Sequence, residues 1–539
     1  MDLTDWTIPR LVRRAAERFP SAHALEDGAA VLTFPELLAA SRRASAALLA
    51  AGVTPGDRVA IWAPNVHEWV VAALGIHGVG GVLVPLNTRM KGAEAGYVLE
   101  KSRARLLFVV ASFLDNDYVA MLRNALGGPD GARPVGGLPA LERIVVLRGG
   151  AAPGCVEWEA FLRGGERLDP AVVEERAHAV EPDDLSDILF TSGTTGKPKG
   201  VMTTHAQNLR AYAAWSEVVG LRAGDRYLVV NPFFHAFGYK AGWLASLLRG
   251  ATVLPHLVFD VPQVLERIGR DRITMLPGPP TLYQMILAHP DRDRFDLRSL
   301  RLAVTGAASI PVELIVRMRR ELTFETIITG YGLTEACGIA TMCRYDDDPE
   351  TIATTSGRAI PDVEVRCVDP EGVEVARGTP GEIVVRGYNV MRGYFEDPRA
   401  TADAIDAEGW LHTGDIGVMD ARGYLRITDR IKDMFIVGGF NVYPAEVEAG
   451  LVAHDGIAQA AVIGVPDERL GEVGMAWVVP RPGAALDADA LVGWCRERMA
   501  NYKVPRYVEI VDALPLNASG KVTKFVLRDR ARERLAVAG

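Results

Sequence analysis

Cysteine is scarce in this chain. It has five among 539 residues, Cys155, Cys337, Cys343, Cys367 and Cys495. None stands in a CxxC pair or a Cys/His ligand spacing, so neither a disulfide framework nor a cysteine metal site is expected. The expected compartment is a reducing one, the cytoplasm. Positive charge is in deficit too: 59 Lys and Arg face 68 Asp and Glu, a formal net charge of −9. With no Lys/Arg-rich block, this balance argues against a nucleic-acid partner. Long apolar runs are also missing. No stretch of about 18 uncharged apolar residues occurs, so no transmembrane segment is expected; peripheral membrane contact stays open. The opening MDLTDWTIPRLVRRAAERF has amphipathic helical spacing without a continuous apolar segment, so no signal peptide is expected. What is present is the composition of an ordinary soluble globular protein, 49% hydrophobic and 24% charged. The chain is too long for one core.

The pattern along the chain is α/β. Val59–Trp62, Gly81–Leu86 and Arg105–Val110 read as strands, with helical spacing over Val66–Ile76. A second series follows: Ile188–Phe190, Tyr227–Val230, Thr252–Leu254, Ile273–Leu276 and Leu302–Val304. Strands alternating with helices predict doubly wound, largely parallel sheets, whose ligands collect at the strands' carboxyl ends. From Val363 the texture shifts to short alternating strands between Gly and Asp turns (Val363–Val368, Glu382–Arg386, Tyr424–Thr428), which predicts a small antiparallel sheet or barrel. After Lys432 comes a block of helix Pro444–Val452, strands Ala461–Val465 and Met475–Val479, helix Asp487–Met499 and strand Tyr507–Val511. It has apolar positions enough for a separate α+β domain. Gly127–Pro139 reads as a turn-rich surface loop.

The most specific stretch is Thr191-Ser192-Gly193-Thr194-Thr195-Gly196-Lys197-Pro198-Lys199-Gly200, directly after the apolar Ile188-Leu189-Phe190. A strand emptying into such a loop gathers backbone N–H groups, hydroxyls and two lysines in one place, which makes a phosphate cradle. It is not the common P-loop, which has four residues between its glycines and Ser or Thr after the lysine. The plain alternative is a flexible polar linker.

This decapeptide resembles the phosphate loop of the adenylate-forming superfamily, which includes acyl-CoA synthetases, stand-alone adenylation domains and luciferases. Further signatures recur in the family's order and extend the resemblance over nearly the whole chain. Tyr331-Gly332-Leu333-Thr334-Glu335 resembles YGxTE, in which the aromatic lies against adenine, the Thr holds the α-phosphate and the Glu binds Mg²⁺. Read locally, it is also a turn entering a helix capped by Thr334. Thr413-Gly414-Asp415 resembles TGD, whose Asp takes the ribose hydroxyls; read locally, it is a turn Asp after Gly. Arg430 matches a second ribose contact and Lys432 the hinge. Gly306-Ala307-Ala308 matches the loop beside adenine and the acyl group. Gly438-Gly439-Phe440, in GGFNVYP, resembles the loop over the pantetheine arm of CoA ligases; it also reads as a turn entering a helix through Pro444. Asn231-Pro232-Phe233-Phe234-His235 matches the aromatic-His motif where acyl pocket meets CoA tunnel. PLNASGK resembles the final signature, ending in the adenylation lysine, Lys521.

The resemblance implies an α/β fold with a large N-terminal domain of doubly wound sheets plus a small β-barrel, then a small mobile α+β C-terminal domain. The implied boundaries are 1–430 (subdomains about 1–180 and 181–355, barrel about 356–430) and 431–539, with the hinge at Lys432. It implies ATP, Mg²⁺ and coenzyme A, and a two-step reaction: adenylation of a hydrophobic carboxylic acid, then thioesterification. Lys521, Thr334, Glu335 and His235 are the catalytic candidates. Phe233–Gly242 (FFHAFGYKAG), Leu276–Gln284 and Thr341–Arg344 resemble one subgroup, the actinobacterial ligases of an indane propionate left by steroid ring degradation. Fatty acids are the other expected substrates. Lys240 would then reach a substrate ketone; the plain alternative is a helix-surface lysine. An adenylation enzyme loading a carrier protein, and a non-catalytic nucleotide-binding relative, stand as alternatives. The partner expected is a small-molecule acid, and a homodimer is open.

Overall fold

The computed structural model describes residues 5–130, 133–191, 198–306, 310–430, 433–437, 440–467, 469–499, 501–516 and 522–538. The chain divides into two compact units: Met1–Val365 with Val385–Leu411, and Arg366–Val384 with His412–Gly539.

The larger unit is built on an eight-stranded sheet. Its order is Gly393–Tyr394, Lys199–Thr204, Leu185–Thr191, Val82–Pro85, Arg58–Trp62, Leu106–Val109, Arg143–Val146, Val156–Glu157. From Leu185–Thr191 onward the strands run parallel; the first two join antiparallel at one edge. Strands Val82–Pro85 and Leu106–Val109 are wholly apolar and buried, as expected of strands covered on both faces. Helix His67–Gly78 is buried from Glu68 to Gly78, without a polar face, and so lies inside the unit. By contrast, helix Ile8–Arg18 buries only the stripe Ile8, Leu11, Val12, Ala15 and Ala16, and Thr7 caps it by accepting from Arg10 N–H.

Two further sheets complete this unit. One runs Arg226–Val229, Thr252–Pro255, His23–Asp27, Ala30–Thr33; the other runs Leu302–Thr305, Thr326–Tyr331, Thr341–Met342, Arg358–Ala359. The expected strand over Ile273–Leu276 is reduced to single bridges, Met275 to Tyr227 and Met275 to Leu302. Met275 C=O accepts from Leu228 N–H at 3.0 Å and Leu276 N–H donates to Leu302 C=O at 3.1 Å. Pro277, which has no N–H to give, ends the run.

The smaller unit carries most of a four-stranded sheet ordered Val363–Val368, Pro380–Gly387, Leu411–Met419, Leu425–Arg430. It continues into a five-stranded sheet, ordered Phe440–Val442, Phe435–Val437, Gly471–Pro480, Ile457–Asp467, with Tyr507–Ile510 pairing parallel to Gly471–Pro480. Alternation along Gly471–Pro480 feeds two cores. Ala476 and Val478 pack with Val447, Leu451 and Leu491; Met475 and Trp477 pack with Leu527 and Ala531. Helices therefore cover both faces of the sheet. No described helix is long and apolar enough to cross a membrane.

Candidate active site

Strands Leu185–Thr191 and Lys199–Thr204 form a hairpin that closes with the pair Thr191–Lys199. Ile188 and Leu189 bury its stem, while Thr191 and Lys199 emerge half-buried at its tip. The intervening Ser192, Gly193, Thr194, Thr195, Gly196 and Lys197 lie outside the described residues. So do Ala307 and Ala308, which follow Gly306 at the end of strand Leu302–Thr305.

Tyr331 ends strand Thr326–Tyr331, and the chain then turns tightly. A β-carbon at Gly332 would stand 2.2 Å from the Gly338 carbonyl oxygen. Only glycine fits, because the obstacle is backbone and cannot swing away. Gly332→Ala is therefore expected to displace the Thr334–Glu335 turn and lower kcat/KM about 10²-fold, the cost of roughly an ångström of misplacement; steady-state kinetics on the purified variant check this. Thr334 does not cap a helix. It opens a single 3₁₀ turn, Thr334–Ala336, capped by Leu333 and closed by Cys337 in the left-handed region.

The Glu335 carboxylate accepts a hydrogen bond from the Tyr394 hydroxyl, Oη to Oε1 2.9 Å. The Lys199 ammonium lies 4.8 Å from the centroid of the same tyrosine ring. Glu335 C=O also accepts from Met391 N–H at 2.8 Å. Three chain segments thus meet here: the hairpin tip, the YGLTE turn and Met391–Tyr394. Glu335 is half-buried, an oxygen donor with access to solvent. That suits Mg²⁺, which keeps most of its waters and takes one or two carboxylates plus substrate phosphates. Nothing in the sequence tied Tyr394 to Glu335; the only local signal was an aromatic after Gly393 at a strand edge.

His235 is exposed, and its Nδ1 accepts from Phe237 N–H at 3.3 Å, capping the short helix Ala236–Gly238. Its loop is held by Asn65. The Asn65 amide donates to the carbonyls of Val229 (3.0 Å) and Asn231 (2.9 Å), and its Oδ1 accepts from Phe233 N–H at 2.8 Å. Phe233 is consequently buried.

Lys240 follows in a π-helical turn, Tyr239–Leu244. It is not a surface lysine. Its ammonium and the Asp187 carboxylate are both 0% exposed and 3.1 Å apart. Lys240 also donates to Thr203 Oγ1 at 3.0 Å. Asp187 accepts from Thr203 (2.7 Å), Ser186 (2.8 Å) and Asn208 (2.6 Å). Desolvation explains why helical spacing misled here: a charge with this many partners can be buried, one without cannot.

Asp27, His67 and Glu68 cluster closely enough to hold a cation, but the Arg148 guanidinium already serves them. Its Nε donates to both Glu68 oxygens at 2.8 Å and its Nη2 to Asp27. Burial raises the Asp27 pKa, and hydrogen bonds from His67 with the Arg148 charge outweigh that, leaving it at about 2. This is an ion-pair network.

In the smaller unit, Asp415 sits within strand Leu411–Met419, not in a turn. It is 7% exposed and is the direct cross-strand partner of Arg430. The two ribose candidates, distant in sequence, are thus neighbours in register. Gly414 N–H donates to Glu382 Oε1 at 3.1 Å, and Thr413 Oγ1 to Ile383 C=O at 2.7 Å. Arg430 is described by its backbone, as is Phe440, which opens strand Phe440–Val442. Lys432, Gly438, Gly439 and Lys521 lie outside the described residues.

Two family models match: AMP-binding enzyme over residues 12–395 and AMP-binding enzyme C-terminal domain over 446–521. A 3-[(3aS,4S,7aS)-7a-methyl-1,5-dioxo-octahydro-1H-inden-4-yl]propanoyl:CoA ligase of Rhodococcus jostii (strain RHA1) is 52% identical, covering 98% of this chain and 99% of the relative. A feruloyl-CoA synthase of Amycolatopsis sp is 39% identical over 96% and 97%. Among solved structures, an anthranilate CoA ligase in complex with anthranoyl-AMP superposes with TM-score 0.86 at 29% identity, covering 99% of this chain and 98% of that one. An o-succinylbenzoate coenzyme A synthetase from Bacillus subtilis, in complex with ATP and magnesium ion, gives 0.80 at 30%, covering 98% and 99%. With its motifs in order and both models matched, the chain belongs to the AMP-binding enzyme family of the adenylate-forming superfamily.

Proposed function

We propose that this protein is an AMP-forming acyl-CoA ligase whose acid is a bicyclic, ketone-bearing indane propionate of steroid origin. The supporting observation is the 52% identity, across 98% of the chain, to a ligase of such an acid. In the first half-reaction the substrate carboxylate attacks the α-phosphorus of ATP and pyrophosphate leaves. In the second, the CoA thiolate attacks the acyl carbon and AMP leaves. Positioning and charge neutralisation dominate such chemistry.

The roles follow the chemistry of each side chain. Thr191 to Lys199 cradle the departing phosphates, and Thr334 holds the α-phosphate oxygen. Glu335 would hold Mg²⁺, which when bound neutralises phosphate charge. Tyr331 would take the adenine face, and Gly306 to Ala308 are the other candidates for the adenine and acyl side. Asp415 accepts from the ribose hydroxyls, with Arg430 next to it. Lys521 neutralises charge developing between carboxylate and α-phosphate. Gly438 to Phe440 would bind the pantetheine arm, and His235 would act at the junction of acyl pocket and thiol. Lys432 is the hinge position. The five cysteines are free thiols, which supports a cytoplasmic location.

A panel of acids assayed with ATP and CoA tests this reading. The methyl-dioxo-octahydroindenyl propanoate is expected to exceed octanoate in kcat/KM by about tenfold or more, the range a shaped apolar pocket supplies. Turnover of fatty acids without turnover of bicyclic propionates would remove the steroid assignment. Multiple-turnover pyrophosphate release that a carrier protein stimulates and CoA does not would favour a carrier-loading enzyme. No release with any acid would leave a nucleotide-binding relative.

A further inference from the structure

We infer that Tyr394 is a positioning residue for the adenylation half-reaction: its hydroxyl fixes the Glu335 carboxylate in the orientation that binds the ATP-bound divalent cation. The inference rests on the nucleotide reading of the site. Tyr394 lies 59 residues from Glu335 in sequence, outside every motif that pointed to function.

The backbone around Tyr394 is held from both sides. Arg392 N–H donates to Met202 C=O at 2.9 Å and Phe395 N–H to Gly200 C=O at 2.7 Å, which adds Gly393–Tyr394 to the hairpin edge. Met391 N–H reaches Glu335 C=O at 2.8 Å. Tyr394 N–H donates to Thr401 Oγ1 at 2.9 Å. Gly393 makes the close fit possible: its φ is +135°, and a β-carbon there would lie 2.8 Å from Thr401 Cγ2. The phenol therefore leaves a fixed backbone in a fixed direction, and that direction ends on a carboxylate.

Unlike phenylalanine, the Tyr394 ring carries a hydroxyl to the carboxylate. Here the hydroxyl is a donor to an anion, one of the stronger hydrogen-bond classes. A phenol, with an ordinary pKa of about 10, is a neutral donor at working pH. Among the described residues, no other side chain bonds this carboxylate, which leaves its second oxygen for a cation. The ring face meanwhile takes the Lys199 ammonium, 4.8 Å from the centroid, within cation–π range. One side chain thereby registers the phosphate-loop lysine against the cation-binding carboxylate.

Tyr394→Phe separates these two contacts, because it keeps the ring on Lys199 and removes only the hydroxyl. The probe is α,β-methylene-ATP, which cannot be cleaved at the reacting bond, titrated calorimetrically against the full chain with Mg²⁺ and with EDTA. In Y394F the affinity gain conferred by Mg²⁺ is expected to shrink about tenfold, with affinity in EDTA unchanged. In turnover the half-saturating Mg²⁺ concentration is expected to rise about tenfold, and the maximal rate to return within about twofold at high Mg²⁺. Glu335→Gln should abolish the gain, and the double variant should lose nothing more. A full Mg²⁺-dependent gain in Y394F, or a double variant weaker than E335Q alone, would overturn the inference. A lowered maximal rate at unchanged half-saturation would overturn it too, since that marks a packing defect. A wild type that binds α,β-methylene-ATP without any Mg²⁺-dependent gain would overturn this inference alone, and one that binds it neither with Mg²⁺ nor with EDTA would overturn the nucleotide reading as well. Should Y394F fold poorly, Thr401→Val supplies a second route. It loosens the Tyr394 backbone and is expected to shift the same Mg²⁺ dependence in the same direction; no shift would count against the inference.

Discussion

Replacing Lys521 with alanine is expected to slow acyl-adenylate formation by about three orders of magnitude while sparing thioester formation from preformed acyl-adenylate. The reasoning is electrostatic. In the first half-reaction two anions, a carboxylate and an α-phosphate, are driven together, and an ammonium placed at the developing charge stabilises the transition state more than either reactant. Deleting one such donor costs about 3–4 kcal/mol, or roughly 10²–10³ in rate. In the second half-reaction the attacking thiolate meets an acyl carbon whose leaving group is already formed, so the same positive charge has no comparable task. Pyrophosphate release measures the first step, and acyl-CoA formation from synthetic acyl-adenylate measures the second. Equal loss of both would refute the assigned role.

The second large effect concerns stability. Lys240→Met is expected to destabilise the larger unit by about 3–5 kcal/mol, because it strands an uncompensated carboxylate where water cannot reach. Asp187 is 0% exposed, and its neutral donors Thr203, Ser186 and Asn208 satisfy its hydrogen bonds without cancelling its charge. Asp187→Asn is expected to cost about as much, now leaving a buried ammonium. The double variant, neutral at both positions, should recover most of the loss, since the charge pair itself is worth little against its desolvation. Thermal unfolding of the four proteins closes this cycle. Additive losses would mean that the two side chains act independently, and the buried pair would then not be the explanation. The pair also links the strand that leads into the phosphate loop with the turn that follows His235. A drop in stability is therefore expected to be accompanied by reduced turnover.

Much of the architecture was legible before any coordinates. The apolar runs at Arg58–Trp62, Val82–Pro85 and Leu106–Val109 are strands within a residue or two of where alternation placed them. The amphipathic opening is a helix for the reason its spacing gave. Strand Leu411–Met419 was missed, because the HTGD within it reads as a turn. Gly414 adopts φ +71° because it has no β-carbon; the Glu382 carboxylate accepts its N–H, and Thr428 Oγ1 donates to Ile416 C=O across the pair. The Met275 strand was over-read, because apolar content does not report how many neighbours pair with a segment.

Sequence by itself determined the class of chemistry. A glycine-, hydroxyl- and lysine-rich loop after a buried strand, a carboxylate in YGLTE and a lysine in PLNASGK are local strings, and local composition is enough to state what each can bind. Tertiary structure alone decided which residues share work. That the Glu335 carboxylate meets the Tyr394 hydroxyl, that Asp415 stands opposite Arg430, and that Lys240 is withdrawn into an ion pair with Asp187 all depend on strand order and register. Contacts between residues far apart along the chain are fixed by which strands lie side by side and by the cost of leaving a charge dry and unpaired, and neither is written in any short stretch of residues.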